Sequence, residues 1–162
     1  MTPTTMFGRT AFLAAALALL LVTASGAQAA CSDPAAPYVD WSNCDKYGAV
    51  LKRTDLKYAS LKGTDLTLAS LSYADLNNAD LSGAKLASAY LEGTDLTNAD
   101  LTNADLTYAV LYLADLTNAT LTNADLTNAK LMDGNGEYAA DLSGATWTDG
   151  RVCAAGSMGA CN

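Results

Sequence analysis

Thr94-Asp95-Leu96-Thr97-Asn98-Ala99-Asp100-Leu101-Thr102-Asn103-Ala104-Asp105-Leu106 returns to its starting pattern every five residues, and the pattern extends far beyond this stretch. Leucine occupies every fifth position from Leu51 to Leu131, seventeen registers without exception, and two places before each stands only Ala or Thr. A period of five fits neither regular element. On a helix, at about 100° per residue, successive leucines would be displaced by roughly 140° and wind around the whole cylinder. On a flat strand, five steps put alternate leucines on opposite faces. The chain must therefore bend once per repeat, so that each five-residue side returns its small residue and its leucine to one interior. The corner belongs just after the leucine. Two residues beyond it stands Gly, Asn or Asp in ten of the seventeen registers, residue types that accept turn geometry cheaply. Coils stacked at roughly 4.8 Å would bond backbone to backbone. Each inward leucine contributes ~1.5–3 kcal/mol of transfer free energy, set against the entropy of ordering its own side.

Ahead of the repeats, Arg9 is followed by the apolar run Ala11 to Val22 and then by Ala27-Gln28-Ala29-Ala30, small residues at the spacing a signal peptidase needs. The unbroken apolar stretch is 12 residues, short of the roughly 20 that span a bilayer, so the reading is a cleaved signal peptide. Lipidation of Cys31 is the alternative, with Gln28 standing where a lipoprotein signal wants an apolar residue. Cleavage leaves 8 basic and 17 acidic side chains, a charge of −9, and the chain has no histidine. Such a surface repels nucleic acid and anionic membrane. The missing histidine removes every Ser-His or Cys-His catalytic arrangement and the commonest metal ligand. All four cysteines, Cys31, Cys44, Cys153 and Cys161, lie in the exported part, where an even count reads as disulfides.

Ala-Asp-Leu-Thr-Asn stands around Leu101 and Leu126, with Thr94 replacing the alanine around Leu96 and small changes elsewhere. This closely resembles the pentapeptide-repeat family, whose pattern is A(D/N)LXX, and the resemblance covers Ala49 to Asp133. It implies an all-β right-handed quadrilateral β-helix, four pentapeptides to a coil and about five to six coils, roughly 25 Å long at the inter-strand spacing. Read so, Val39/Trp41 and Cys44/Lys46 form an imperfect first pair. Ala140/Leu142, Ala145/Trp147 and Gly150/Val152 resume the pattern one residue out of step, after a turn-rich insert at Asp133-Gly134-Asn135-Gly136-Glu137. The expected organisation is a signal peptide at 1–30, an N-terminal cap at 31–48, the solenoid at 49–133, and a final coil with a C-terminal cap at 134–162. A rod of that length holds its ends too far apart for a cross-end disulfide, which leaves Cys31 with Cys44 and Cys153 with Cys161. Each bond would pin a cap over an open apolar end.

Taking the repeats by fours turns the sequence into four surface ladders. One holds Asp55, Asp75, Asp95 and Asp115, carboxylates about 5 Å apart that would attract cations or imitate nucleic-acid phosphates, or would simply keep the rod solvated. Another turns Tyr90, Val110, Tyr112 and Met132 outward, with Tyr73 and Leu113 at one corner and Leu68 and Tyr108 at the other. That is the candidate protein-binding or dimer face, its alternative being plain aromatic stacking between coils. Lys46, Lys52, Arg53, Lys57 and Lys62 gather positive charge at the first coils, suited to an acidic partner or to balancing the acidic body.

Asp133, Asn135, Glu137 and Asp141 alternate faintly like a calcium loop, but Tyr138 and Gly144 occupy the places of its required glycine and glutamate. The cysteines lack zinc spacing. Paired carboxylates would need a cleft that convex ladders do not offer. No catalytic residue, metal or cofactor is therefore expected. The expected function is an exported structural or protein-interaction module whose partner is another protein or a second copy, with no nucleic acid and no membrane insertion after cleavage. The resemblance also implies an alternative, because some pentapeptide-repeat proteins mimic DNA in charge and shape and protect or inhibit DNA gyrase.

Overall fold

The computed structural model describes residues 31–132, 140–149 and 151–161. Within them the chain turns a corner every five residues, and each side pairs with the residue twenty further on: Asp55 with Asp75, Asp75 with Asp95, Asp95 with Asp115. Twenty residues and four corners make each coil a quadrilateral. The expectation of a β-helix needs one refinement, because the described coils pair through single-residue parallel bridges rather than through extended strands. The reason is local. A side has only two or three extended residues before the next corner, too few to continue a strand.

The Leu96 side shows the bonding scheme. Leu96 N–H donates to Asp115 O (2.7 Å), Asn98 N–H to Thr117 O (2.9 Å), and Asp115 N–H returns to Thr94 O (3.0 Å). Ala99 N–H closes the corner on Leu96 O at 3.0 Å. The third residue of that turn has φ near +58°, as at Asn98, which is the signature of a type II turn.

Fifteen of the seventeen leucines are buried, Leu51 through Leu121, together with the small residues preceding them from Ala59 to Ala119, whereas Ala49 and Thr54 at the first coil are partly exposed. Leu126 and Leu131 are only partly buried against the core, because the chain turns back after pairing over the 115 and 120 rungs and no later described side stacks on theirs. Threonine replaces alanine inside without leaving an orphan hydroxyl: Thr64 Oγ1 donates to Trp41 O (2.7 Å) and Thr94 Oγ1 to Leu71 O (2.9 Å). No buried side-chain nitrogen or oxygen among the described residues lacks a partner.

Coiling begins inside the segment expected to be a cap, since Asp40 already pairs with Ser60 and Asp45 with Asp65. Trp41 takes the first leucine position, 2% exposed, and its indole N–H donates to Asp33 O (3.1 Å). Lys46 stands at the second leucine position. Its ammonium lies 3.7 Å from the Trp41 ring centroid and donates to Cys31 O (2.7 Å). Cys31 and Cys44 are disulfide-bonded with Cα atoms 5.4 Å apart, so residues 31–37 are strapped over the first coil.

At the other end Asp141 pairs in parallel with Asp115 and Thr146 with Thr120, so Ala140/Leu142 and Ala145/Trp147 resume the coil as expected. The step from 115 to 141 is 26 residues rather than 20, and the insert that absorbs the excess lies at 133–139, outside the described residues. Val152, expected with Gly150 to continue the coil, does not. Val152 pairs antiparallel with Thr146 and is 66% exposed, because the chain reverses there. The returning tail takes up the last coil's amides: Leu142 N–H donates to Ser157 O, Gly144 N–H to Cys153 O and Trp147 N–H to Arg151 O. Cys153–Cys161, with Cα atoms 4.9 Å apart, closes that tail on itself.

Candidate interaction surface

The residue just before each leucine points outward and forms the bridge to the next coil, so four ladders run along the rod. One reads Asp40, Ser60, Asp80, Asp100, Thr120, Thr146; the next Asp45, Asp65, Lys85, Asp105, Asp125; the fourth Asp55, Asp75, Asp95, Asp115, Asp141. The third reads Val50, Ser70, Tyr90, Val110, Lys130 and holds no aspartate at all.

Aspartate is common at this position for a local reason. Its Oδ1 accepts the backbone N–H two residues on, inside the corner: Asp100 from Thr102 (2.9 Å), Asp115 from Thr117 (2.9 Å), Asp80 from Ser82 (2.9 Å), and likewise at every other ladder aspartate. This is an Asx bond, and it orders the turn that follows. Serine or threonine hydroxyls, followed by this backbone amide, hold Asp40, Asp65 and Asp125 below the usual aspartate value. The Val50–Lys130 face does without these bonds.

The corners carry the second signal. All the described corner residues have φ near +60°, including eight that are not Gly, Asn or Asp: Tyr38, Arg53, Tyr58, Leu68, Tyr73, Ser88, Tyr108 and Leu113, with φ between 57° and 62°. A left-handed conformation costs such a residue about 1–2 kcal/mol. Six of the eight border the Val50–Lys130 face, Leu68, Ser88 and Tyr108 on one edge and Arg53, Tyr73 and Leu113 on the other. The other two, Tyr38 and Tyr58, stack on one another with ring centroids 5.0 Å apart.

The residues expected from the sequence to form an apolar face therefore lie together. Tyr73, Tyr90, Tyr108, Leu68, Leu113 and Met132 are exposed, while Val110 and Tyr112 are half-buried between their neighbours. Val50, 80% exposed at the head of the same ladder, was not anticipated, nor were the exposed Tyr38, Tyr47 and Tyr58 near the first coil. Arg53 lies 5.8 Å from the Tyr73 ring centroid, and Tyr73 Oη donates to Glu92 (3.4 Å).

The acidic ladder of Asp55, Asp75, Asp95 and Asp115 is brought into line and gains Asp141. It contains its own cation. Lys57 donates to Asp75 at 2.7 Å, and this bond, with the charges of Asp55, Asp75 and Asp95, holds the lysine above its usual value. The suggested calcium-loop residues Asp133, Asn135 and Glu137 lie outside the described residues, and Asp141 serves its own turn. Among the described residues no three metal-binding side chains come together, and no helix is long and apolar enough to cross a membrane.

The five-residue corner, the twenty-residue bridge and the filled interior are matched by the family of Pentapeptide repeats, in eight copies over residues 42–72, 64–103 and 94–133. The chain belongs to this family. Among solved structures, this pentapeptide-repeat protein is similar to HetL, involved in heterocyst differentiation regulation in the cyanobacterium Nostoc sp. strain PCC 7120, at 40% identity and a TM-score of 0.65. The match covers 71% of this chain and 52% of HetL, so the chain spans about half the length of that relative. It is also similar to Rfr23 of the cyanobacterium Cyanothece 51142, at 32% identity and a TM-score of 0.53, covering 71% of this chain and 67% of that one. No curated protein matches the chain.

Proposed function

We propose that this pentapeptide-repeat protein is an exported, non-enzymatic module that binds another protein through the face carrying Tyr73, Tyr90, Tyr108, Val110, Tyr112 and Leu113. One observation carries the reading: a single face lacks the aspartates of the other three, and its two edges hold bulky apolar residues in a backbone conformation that glycine or asparagine would adopt more cheaply. Strain concentrated beside exposed aromatics points to selection for contact rather than for stability. Export is supported by the leader-like residues 1–30 and by two disulfides, which persist in oxidising compartments, periplasmic or extracellular. On this reading the mature protein is a rod of five to six coils, with its N-terminal cap in 31–48, its solenoid in 49–133 and its last coil and cap in 134–162.

The acidic ladder supports the alternative of a phosphate mimic acting on a topoisomerase such as DNA gyrase. Cell fractionation with thiol labelling separates the two. A cleaved, fully oxidised protein outside the cytoplasm is expected; an uncleaved, reduced cytoplasmic one would favour the mimic. The Tyr108→Ser/Tyr112→Ser double variant should keep the fold and lose partner binding in a pulldown, and unchanged binding would reduce those tyrosines to stacking between coils.

A further inference from the structure

We propose that the occupant of the aspartate-free face is an apolar segment of a different protein, about six residues long when extended, with carboxylates at both of its ends. This rests on the reading that the face binds protein, and it adds the partner's chemistry and excludes a second copy of this chain.

The charges on the face decide the point. Among the described residues of its five sides, the charged ones are Lys52, Arg53, Glu92 and Lys130. The cations stand at the two ends of the ladder, Lys52 and Arg53 beside Val50, and Lys130 at the last rung. Four rungs separate Val50 from Lys130, a distance of roughly 19 Å at the inter-strand spacing, which about six extended residues cover. Between the ends lie Tyr90, Val110 and Tyr112, and Glu92, the one carboxylate among the described residues of the face, already accepts from Tyr73. The middle therefore favours apolar contact, and each end favours a negative charge.

A second copy does not match this pattern. A two-fold axis perpendicular to the rod sets Lys130 of one molecule against Lys52 and Arg53 of the other. A two-fold axis parallel to the rod sets each cation against itself. Both arrangements desolvate like charges against one another. Seating the face on another copy's acidic ladder would bury carboxylates against tyrosine and valine rings and methyls, which is costly without partners. A foreign segment with acidic ends meets neither obstacle. The three aspartate-bearing faces repel it, so only one docking surface remains favourable, and charge supplies the specificity.

The test uses the oxidised full chain, isotopically labelled, and two synthetic 12-residue peptides. Both carry the same central six residues of alternating valine, tyrosine and isoleucine; one has three acidic residues at each end and the other three lysines. Amide shifts should be confined to Val50, Tyr90, Val110, Tyr112 and their neighbouring corners. The acid-ended peptide should bind at least ten-fold more tightly at low salt, with the advantage falling as salt is added. The exposed pair Lys52→Glu/Lys130→Glu should abolish or reverse the preference, and Arg53→Gln alone should reduce it; either variant is used only with its spectrum otherwise unchanged. Equal binding of both peptides on this face would overturn the acidic-ended partner while leaving a protein-binding face. Shifts on other faces, or none, would overturn both readings. Concentration-dependent shifts of the face without peptide would identify a second copy as the occupant and overturn the proposal.

Discussion

At the residue scale, two positions of each pentapeptide have been explained by different physics. The residue before the leucine is aspartate because its carboxylate completes the following turn, not only because it is soluble. Asp100→Ala should therefore lower stability by about 1 kcal/mol although the side chain is exposed, while Asp100→Asn, whose carbonyl oxygen can still accept, should lose about half as much or less. Equilibrium denaturation of the two variants checks this, and equal losses would assign the effect to charge. The corner position reads differently. Leu113→Asn should stabilise the protein by about 1 kcal/mol, since asparagine enters the left-handed region more readily and Leu113 is exposed. Among the described corners of the leucine registers, the sequence made nine legible through Gly and Asn. The remaining seven were hidden, because a tyrosine or leucine states no preference for φ near +60° and is placed there by the coils on either side.

At the scale of the side and the coil, fit between neighbouring turns matters more than propensity. Gly93 stacks beneath Tyr73, and an added Cβ would stand 2.5 Å from the ring's Cε1. Gly93→Ala meets both that contact and a φ of +63°, so a loss of at least 1–2 kcal/mol is expected by thermal unfolding. Gly83→Ala, with nothing within 4 Å, should lose only the conformational part. A Gly93 variant no worse than the Gly83 one would show that the Tyr73 ring moves aside freely. The caps were less legible than the coils. Inward spacing was read correctly at Ala140/Leu142 and Ala145/Trp147 but wrongly at Val152, because a two-residue spacing does not reveal the direction of the chain. Lys46 likewise occupies a leucine position, and burial lowers its pKa against the opposing pull of Asp33. A charge placed there closes the apolar interior at its mouth, a role that periodicity alone reads as a defect.

At the scale of the whole molecule, acid sensitivity follows from the carboxylates. Asp40, Asp65 and Asp125 titrate below the ordinary aspartate value of 3.8 in the folded protein, so the folded state favours their ionised form. Their contribution is complete above 3.8 and disappears as pH falls through the lowered native values. Melting temperatures should hold level from pH 7 to about pH 5 and decline as the solution passes below the carboxylate range. A melting temperature that rises below pH 3.8 would show that mutual repulsion among the ladders outweighs these bonds. Fold and ladder membership were both legible, since a strict repeat makes every outward residue assignable to a face. The identity of the partner was not, because a surface records the complement of what touches it and not its name.

The bridge from each residue to the one twenty ahead also constrains how such a gene can change length. Losing five codons within the coils would leave every leucine inward, yet would rotate all downstream faces by a quarter turn and set lysines and tyrosines over aspartates. Only changes of twenty codons preserve both interior and exterior, while the six extra residues between Asp115 and Asp141 escape the rule in that parallel pairing resumes beyond them. The molecule can thus be lengthened in whole revolutions, and an indel of any other multiple of five would spare its folding while scrambling what its surface presents.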